Sequence, residues 1–322
     1  MSTALTAPTA RAELARGSRS FGFAAHFLPA DQWDDAARVY AFCRLVDDLA
    51  DEPGLDDKVR HAALAAVDAE LRGLIPPRSE VAALREVHAR RGLDLDAARA
   101  LVAACAGDIG GVRISDDTAL LRYCYGVAST VGLLMCGVLG VRDRAAMAHA
   151  IDLGIAMQLT NLCRDVLEDA RSDRVYLPAT RLRRVGVDPE DLVAGTADRH
   201  AVSLVVCDLL RLAERYYDSA WDGLRDVPPR ARFAILVAAR VYRRIGLTLL
   251  HRGGDALAGR TVVPFRAKVS EAFVAVVGFF TPRVLGLFPH PSHDASLHDA
   301  LRGLPAVHAF GATHGLLDQQ RI

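Results

Sequence analysis

Residues 144–169 read RAAMAHAIDLGIAMQLTNLCRDVLED. Apolar side chains recur there at helical spacing, and no proline interrupts them, so the stretch predicts one long helix. Within it Gln158, Asn161, Asp165 and Asp169 step by 3, 4 and 4, which places two amides and two carboxylates on one face, with Arg164 and Glu168 alongside. A polar stripe inside an apolar run is costly unless its groups are satisfied. Carboxylates stacked one turn apart repel each other unless something cationic lies against them.

A second acidic group stands upstream, in Asp47-Asp48-Leu49-Ala50-Asp51. Tyr40, Arg44, Asp47, Asp48 and Asp51 again share one helical face. One such pair alone is commonly a solvated surface. Here Phe42, Leu45, Val46 and Leu49 around the first group leave only a narrow polar side, as do Met157, Leu159, Leu162 and Val166 around the second. Two such faces favour hard divalent ions held between them. Mg²⁺ bound by one or two carboxylates takes its other ligands from water and substrate phosphate. Arg44, one turn before the acids, can grip a phosphate with two parallel hydrogen bonds. The residues therefore predict an enzyme that handles a diphosphate.

The rest of the chain sets bounds on that reading. Its 322 residues are 51% hydrophobic and 24% charged, which suits a folded domain with a sizeable core. Its 39 basic and 39 acidic residues cancel, so net charge offers no argument for a nucleic-acid partner. Cys43, Cys105, Cys124, Cys136, Cys163 and Cys207 form no CxxC pair and lie in apolar stretches, which reads as free buried thiols in a reducing compartment. The first residues lack a secretory core, and the longest apolar stretches, Val127–Val141 and Ala272–Phe280, look too short to span a bilayer. A cytoplasmic protein is expected, with peripheral contact to the inner membrane surface open near Phe279, Phe280, Leu285, Leu287 and Phe288.

Helical patterns cover Ala36–Asp51, Lys58–Leu74, Ala97–Ala106, Thr118–Leu139, Arg144–Asp169, Val202–Arg225, Arg230–Arg252 and Lys268–Phe279. Arg260–Val263 is the one modest strand signal. Breakers such as Pro76-Pro77, Pro228-Pro229 and Gly253-Gly254 separate the helices. An all-α bundle in a single domain follows. Residues 1–16 are expected to be a flexible start, 17–289 the domain, and 290–322 a loose tail.

Three segments carry a resemblance. SRSFGFAAHFLPADQWDDAARVYAFCRLVDDLADE (18–52), LRYCYGVASTVGLLMCGVLGV (121–141) and MQLTNLCRDVLEDARSDRVYLP (157–178) resemble, in order, the signatures of the phytoene synthase/squalene synthase family of head-to-head prenyl transferases. The likeness runs from Ser18 to Lys268. It implies an isoprenoid-synthase helical bundle with a central apolar cavity. It also implies Mg²⁺, with Mn²⁺ as a substitute, held by Asp47, Asp48, Asp51, Asp165 and Asp169. By the same resemblance Arg44, Arg164, Arg19 and Arg266 contact diphosphate, Gln158 and Asn161 are the site amides, Ser20 and Phe21 belong to the opening segment, and Tyr40, Tyr125 and Tyr242 line the cavity.

The implied reaction joins two geranylgeranyl diphosphates through a cyclopropyl diphosphate to phytoene, with no NADPH. Tyr125 is a candidate to assist deprotonation or steady a cation. Small residues at Gly22, Ala24, Ala25, Gly126, Ala128, Ser129 and Gly132 leave room for a C20 chain. Ser129 stands where the family usually has glycine, which bears on fine product specificity, and Leu167 stands where many phytoene synthases have glycine. The alternatives are a C30 enzyme that uses farnesyl diphosphate and a non-catalytic binder of prenyl lipids.

Overall fold

The computed structural model describes residues 28–52, 54–287 and 292–307. Several helices start immediately after an aspartate, and the start has a local cause. Asp56, Asp94, Asp116, Asp143 and Asp198 each accept a backbone N–H of the first turn, which satisfies donors that have no partner inside the helix. The helices are α1 (Ala30–Asp51), α2 (Asp57–Leu71), α3 (Ser79–Arg91), α4 (Leu95–Ala106), α5 (Asp117–Cys124), α6 (Thr130–Leu139) and α7 (Arg144–Arg171). They continue as α8 (Ala179–Arg184), α9 (Pro189–Ala194), α10 (Arg199–Gly223), α11 (Pro229–His251), α12 (Phe265–Phe279) and α13 (Pro282–Leu285).

The all-α expectation therefore holds, with corrections in detail. Helix α3 was not foreseen. Its apolar stripe is narrow, with Val81, Leu84 and Val87 buried among charged neighbours. Residues 260–263 form no strand. Among the described residues the strands are instead β1 (Val112–Arg113) and β2 (Arg174–Val175), two residues each and paired in parallel. Pairing of this kind depends on a partner far away in sequence, so β1 and β2 carry no local signal.

The continuous helical run Asp117–Leu139 is long and apolar enough to cross a membrane by composition, beyond what the sequence reading allowed, but half of its apolar window is buried in the bundle. It reads as a core helix. Between α5 and α6 the run widens into a π-helical segment, Tyr125–Ser129.

Two cores meet around this run. In one, α1 buries Val39, Phe42 and Val46 against Leu64, Leu84, Leu101 and Leu134. In the other, α7 packs antiparallel along α10, burying Ile155, Leu159, Leu162 and Val166 with Val206, Leu209 and Tyr217. The helices that carry the two acidic groups thus belong to different cores. At the crossing of α7 with the π segment, a Cβ on Gly154 would lie 2.6 Å from Ser129 Cα and 2.7 Å from its N.

Residues 292–307 are packed rather than loose. Leu297 and Leu301 are buried, and Tyr216 donates to the Leu297 carbonyl at 2.8 Å. Arg122 donates to the Ala300 carbonyl at 3.1 Å. The polar, aperiodic composition of this strap hid its two core leucines.

Gly154→Ala drives a methyl against backbone that cannot yield locally. It is expected to cost about 1–3 kcal/mol by overpacking, read as a fall in urea midpoint with an unchanged slope.

Candidate active site

The first acidic group lies at the C-terminal end of α1. Arg44 pairs with Asp48 at 2.7 Å, one turn on. Asp47 keeps open surface but is crowded by protein, and that burial pushes its carboxyl up to about 6, against the pull of Arg44 and the Cys105 thiol. The thiol approaches Asp47 Oδ1 at 3.7 Å.

The second group ends α7. Arg164 lies along Asp165 with two contacts, one of 2.7 Å from Nε to Oδ1. Burial, followed by the neighbouring Asp165 charge, pushes Asp169 up to about 7. Asn161 donates to Gln158 Oε1 at 3.4 Å, and its own Oδ1 is buried with no partner among the described residues.

One residue ties the groups together. Arg174 donates to Asp51 Oδ1 at 2.6 Å, and its charge also lowers the carboxyls of Asp169 and Asp108. It can do so because β2 begins three residues after α7 ends, and the β1–β2 pairing holds that turn. Arg260 serves the second group alone, 3.2 Å from Asp165 and 3.6 Å from Glu168. Neither arginine was singled out by the sequence reading. Arg266, which was, is exposed on the first turn of α12. Arg19, Ser20, Phe21 and Ala25 lie outside the described residues.

The tyrosines divide. Tyr40 sits one turn before Arg44, with its hydroxyl pushed up by burial. Tyr242 is half-buried on α11 and lies near Arg164. Tyr125 is 1% exposed, and its hydroxyl donates to the Pro305 carbonyl at 2.6 Å. That bond ties the strap to the helix and is the contact the hydroxyl makes among the described residues.

Two residues earlier, on the opposite side of the helix, Tyr123 donates to Asp108 Oδ2 at 2.8 Å and stacks on Tyr176 with ring centres 4.8 Å apart. Burial raises Asp108, and its surroundings include Tyr123, Arg174, Tyr176 and Asp51. Tyr123, Asp108 and Tyr176 therefore adjoin the acidic mouth. Spacing alone could not choose between two tyrosines on opposite faces.

Ser129 is also placed differently. It is fully buried, and its hydroxyl donates to the Ile151 carbonyl at 2.7 Å. A Cβ on Gly126 would lie 2.5 Å from Ala104 Cβ, and one on Gly132 would lie 3.3 Å from the Ala150 carbonyl oxygen. These small residues serve helix crossings.

Two hollows adjoin the mouth. The one lined by Leu162, Val166, Asp169 and Tyr176 holds about 10 Å³. The other, an open polar basin of about 520 Å³, is bordered by Asp51, Arg60, Asp173 and Arg174.

A family model described as squalene/phytoene synthase matches residues 14–270. The chain is 35% identical over 300 residues to a phytoene synthase of Pseudescherichia vulneris, covering 86% of this chain and 96% of that one. It is 38% identical over 281 residues to a 15-cis-phytoene synthase of a Paracoccus strain, covering 84% and 88%. Among solved structures it resembles a dehydrosqualene synthase in complex with a ligand, with TM-score 0.74 and 25% identity, covering 85% of this chain and 96% of that one. It also resembles a squalene synthase from Alicyclobacillus acidocaldarius, with TM-score 0.70 and 25% identity, covering 77% and 94%.

The raised carboxyls have a sign that can be checked. Asp47 and Asp169 favour the folded, metal-free protein while protonated, and that contribution is lost as pH rises through about 6 and about 7. Asp169→Asn removes the buried charge, so at pH 8 with EDTA it should raise Tm by roughly 2 °C or more. Tyr123→Phe should lower kcat far more than Tyr125→Phe, whose effect should appear as faster proteolysis of residues 292–307.

Proposed function

Because the chain belongs to the squalene/phytoene synthase family, we propose that it is a phytoene synthase, joining two geranylgeranyl diphosphates head to head through a cyclopropyl diphosphate. The observation that carries this reading is the convergence of Asp51 and the Asp165/Asp169 group on Arg174. It brings two acidic helix faces to one mouth, as handling of a diphosphate requires. Relatives named phytoene synthase, at 34–38% identity over most of the chain, support the C40 reading over the C30 one.

The donor set suits Mg²⁺ or Mn²⁺. It is all oxygen, from Asp47, Asp51, Asp165 and Asp169, and the orphaned Asn161 Oδ1 adds a buried acceptor in search of a partner. Bound there, the cation would neutralise charge on a departing diphosphate. The protein's own residues do the rest. Arg44, Arg164, Arg174 and Arg260 surround the acids and can transfer their hydrogen bonds to phosphate oxygens, stabilising charge as the allylic bond ionises. Gln158 and Asn161 orient groups on the same face. Tyr123 and Tyr176 offer π faces to a cation, and Asp108 holds the Tyr123 hydroxyl proton at a defined point.

Products this apolar must leave into lipid. Phe273, Val277, Phe280 and Leu287 are 71%, 61%, 66% and 69% exposed on and after α12. This face supports peripheral contact of a cytoplasmic enzyme with the membrane surface.

Incubation with Mg²⁺ and either geranylgeranyl or farnesyl diphosphate, with and without NADPH, tests the reading. A C40 hydrocarbon formed without NADPH is expected. A C30 product alone, or an NADPH requirement, would overturn the chain-length assignment. Asp47→Asn and Asp165→Asn should each cost at least about 10²-fold in kcat, the scale of a lost electrostatic contact in a dry site. Half-maximal Mg²⁺ should rise as pH falls through about 7 and about 6, where Asp169 and Asp47 take up protons.

A further inference from the structure

A second polar cluster lies far along α7 from the acidic mouth. His149 and Asp152 sit one turn apart on α7 and are 3% and 0% exposed. The strap brings His293 and His298 to them, with side chains 1% and 3% exposed. His293 Nε2 lies 2.8 Å from Asp152 Oδ2, and His298 Nε2 lies 2.9 Å from Oδ1. From α10, the Ser219 hydroxyl donates to Asp152 Oδ2 at 2.5 Å and lies 3.0 Å from His149 Nδ1. One ligand atom from each of His149, Asp152 and His293 falls within 4.8 Å of the others.

We propose that His149, Asp152 and His293 form a zinc-class metal site that fastens the strap, residues 292–307, onto the helical bundle. Two imidazoles and a carboxylate are a donor set for zinc or its tetrahedral analogues and a poor one for Mg²⁺. Tetrahedral bonds near 2.0 Å put neighbouring ligand atoms about 3.3 Å apart. The observed 2.8 Å from His293 to Asp152 and 4.0 Å from His149 to Asp152 bracket that separation. Small rotations of buried side chains would close the set.

His298, on the other carboxylate oxygen, is placed to orient Asp152 as an outer partner. Ser219 lies against two of the ligands, where its own hydroxyl can complete the shell. The sequence concurs. Of the chain's 11 histidines, His290, His293, His298, His308 and His314 fall after residue 289, a local enrichment typical of metal-binding tracts. The site joins an α7 pair to a segment well over a hundred residues away, so a bound ion would act as a cross-link.

Full-length protein, stripped with EDTA and held in excess Mg²⁺ to occupy the aspartates, provides the test. One equivalent of Zn²⁺ should survive gel filtration, and Co²⁺ should give the strong visible absorption of a tetrahedral site. His293→Ala and His149→Ala should weaken Zn²⁺ binding by at least about 100-fold, the upper end of what loss of a supporting group costs. Zn²⁺ should also slow trypsin cleavage after the exposed Arg302 in the unmodified protein but not in the variants. If His149→Ala fails to fold, His293→Ala, on the strap, carries the comparison. Failure of the unmodified protein to retain an ion would overturn the proposal and leave a hydrogen-bonded latch. Retention undiminished in His293→Ala would overturn it as well, by placing the ion elsewhere.

Discussion

The carboxylates at the mouth impose the governing constraint. Asp47, Asp51, Asp165 and Asp169 come from two helices in two different cores, and like charges of this kind do not gather unaided. Burial first, and the neighbouring carboxylates after it, raise Asp47 and Asp169 to about 6 and about 7, so part of the cost is met by protonation. The rest is met by arginines. Arg174 matters most because it bonds across the gap to Asp51 while its charge acts on Asp169. The two-residue β1–β2 pair, slight as it is, fixes the turn from which Arg174 reaches. On the proposed reading, such a clamp is strained without its ligand and would be relieved by a cation and a diphosphate, a trade of stability for function.

The π segment Tyr125–Ser129 performs a second division of labour. On its N-terminal side Tyr123 faces the mouth through Asp108, and at its start Tyr125 faces the strap through Pro305. A widened turn shifts side-chain phase, and such segments recur at functional sites. Here it lies where one helix must serve the mouth on one side and the strap on the other. Strap and mouth are therefore coupled through a single helix, with Arg122 bonded to the strap one residue before Tyr123.

Much of this was legible in the sequence. The acidic faces, their amides and Arg44 and Arg164 were readable because helical periodicity converts spacing directly into a shared face. The long helices were readable for the same reason. What escaped was information that exists only between distant segments. Arg174 and Arg260 gain meaning from partners 123 and 95 residues away, as the pairings Arg174–Asp51 and Arg260–Asp165 make plain. Tyr123 and Tyr125 are equivalent by composition and differ only in what packs opposite them. Residues 292–307 looked loose because two leucines and a few tyrosine and arginine bonds to backbone carbonyls are too sparse to form a pattern.

Small residues illustrate the same ambiguity in the matter of chain length. Gly126, Ser129 and Gly132 suggested room for a long prenyl tail, since a missing side chain leaves space. A missing side chain equally lets two backbones approach, and sequence cannot say which use is made. The distances decide. A Cβ at Gly126 would collide with Ala104, and one at Gly154 would collide with the Ser129 backbone. Ser129 spends its hydroxyl on Ile151 in the same crossing. These positions set how closely α4, α7 and the π segment approach, and so they shape any cavity only indirectly, through helix spacing. On the proposed reading, Gly126, Ser129 and Gly132 would therefore act on the choice between C15 and C20 chains through helix spacing and not as open gaps.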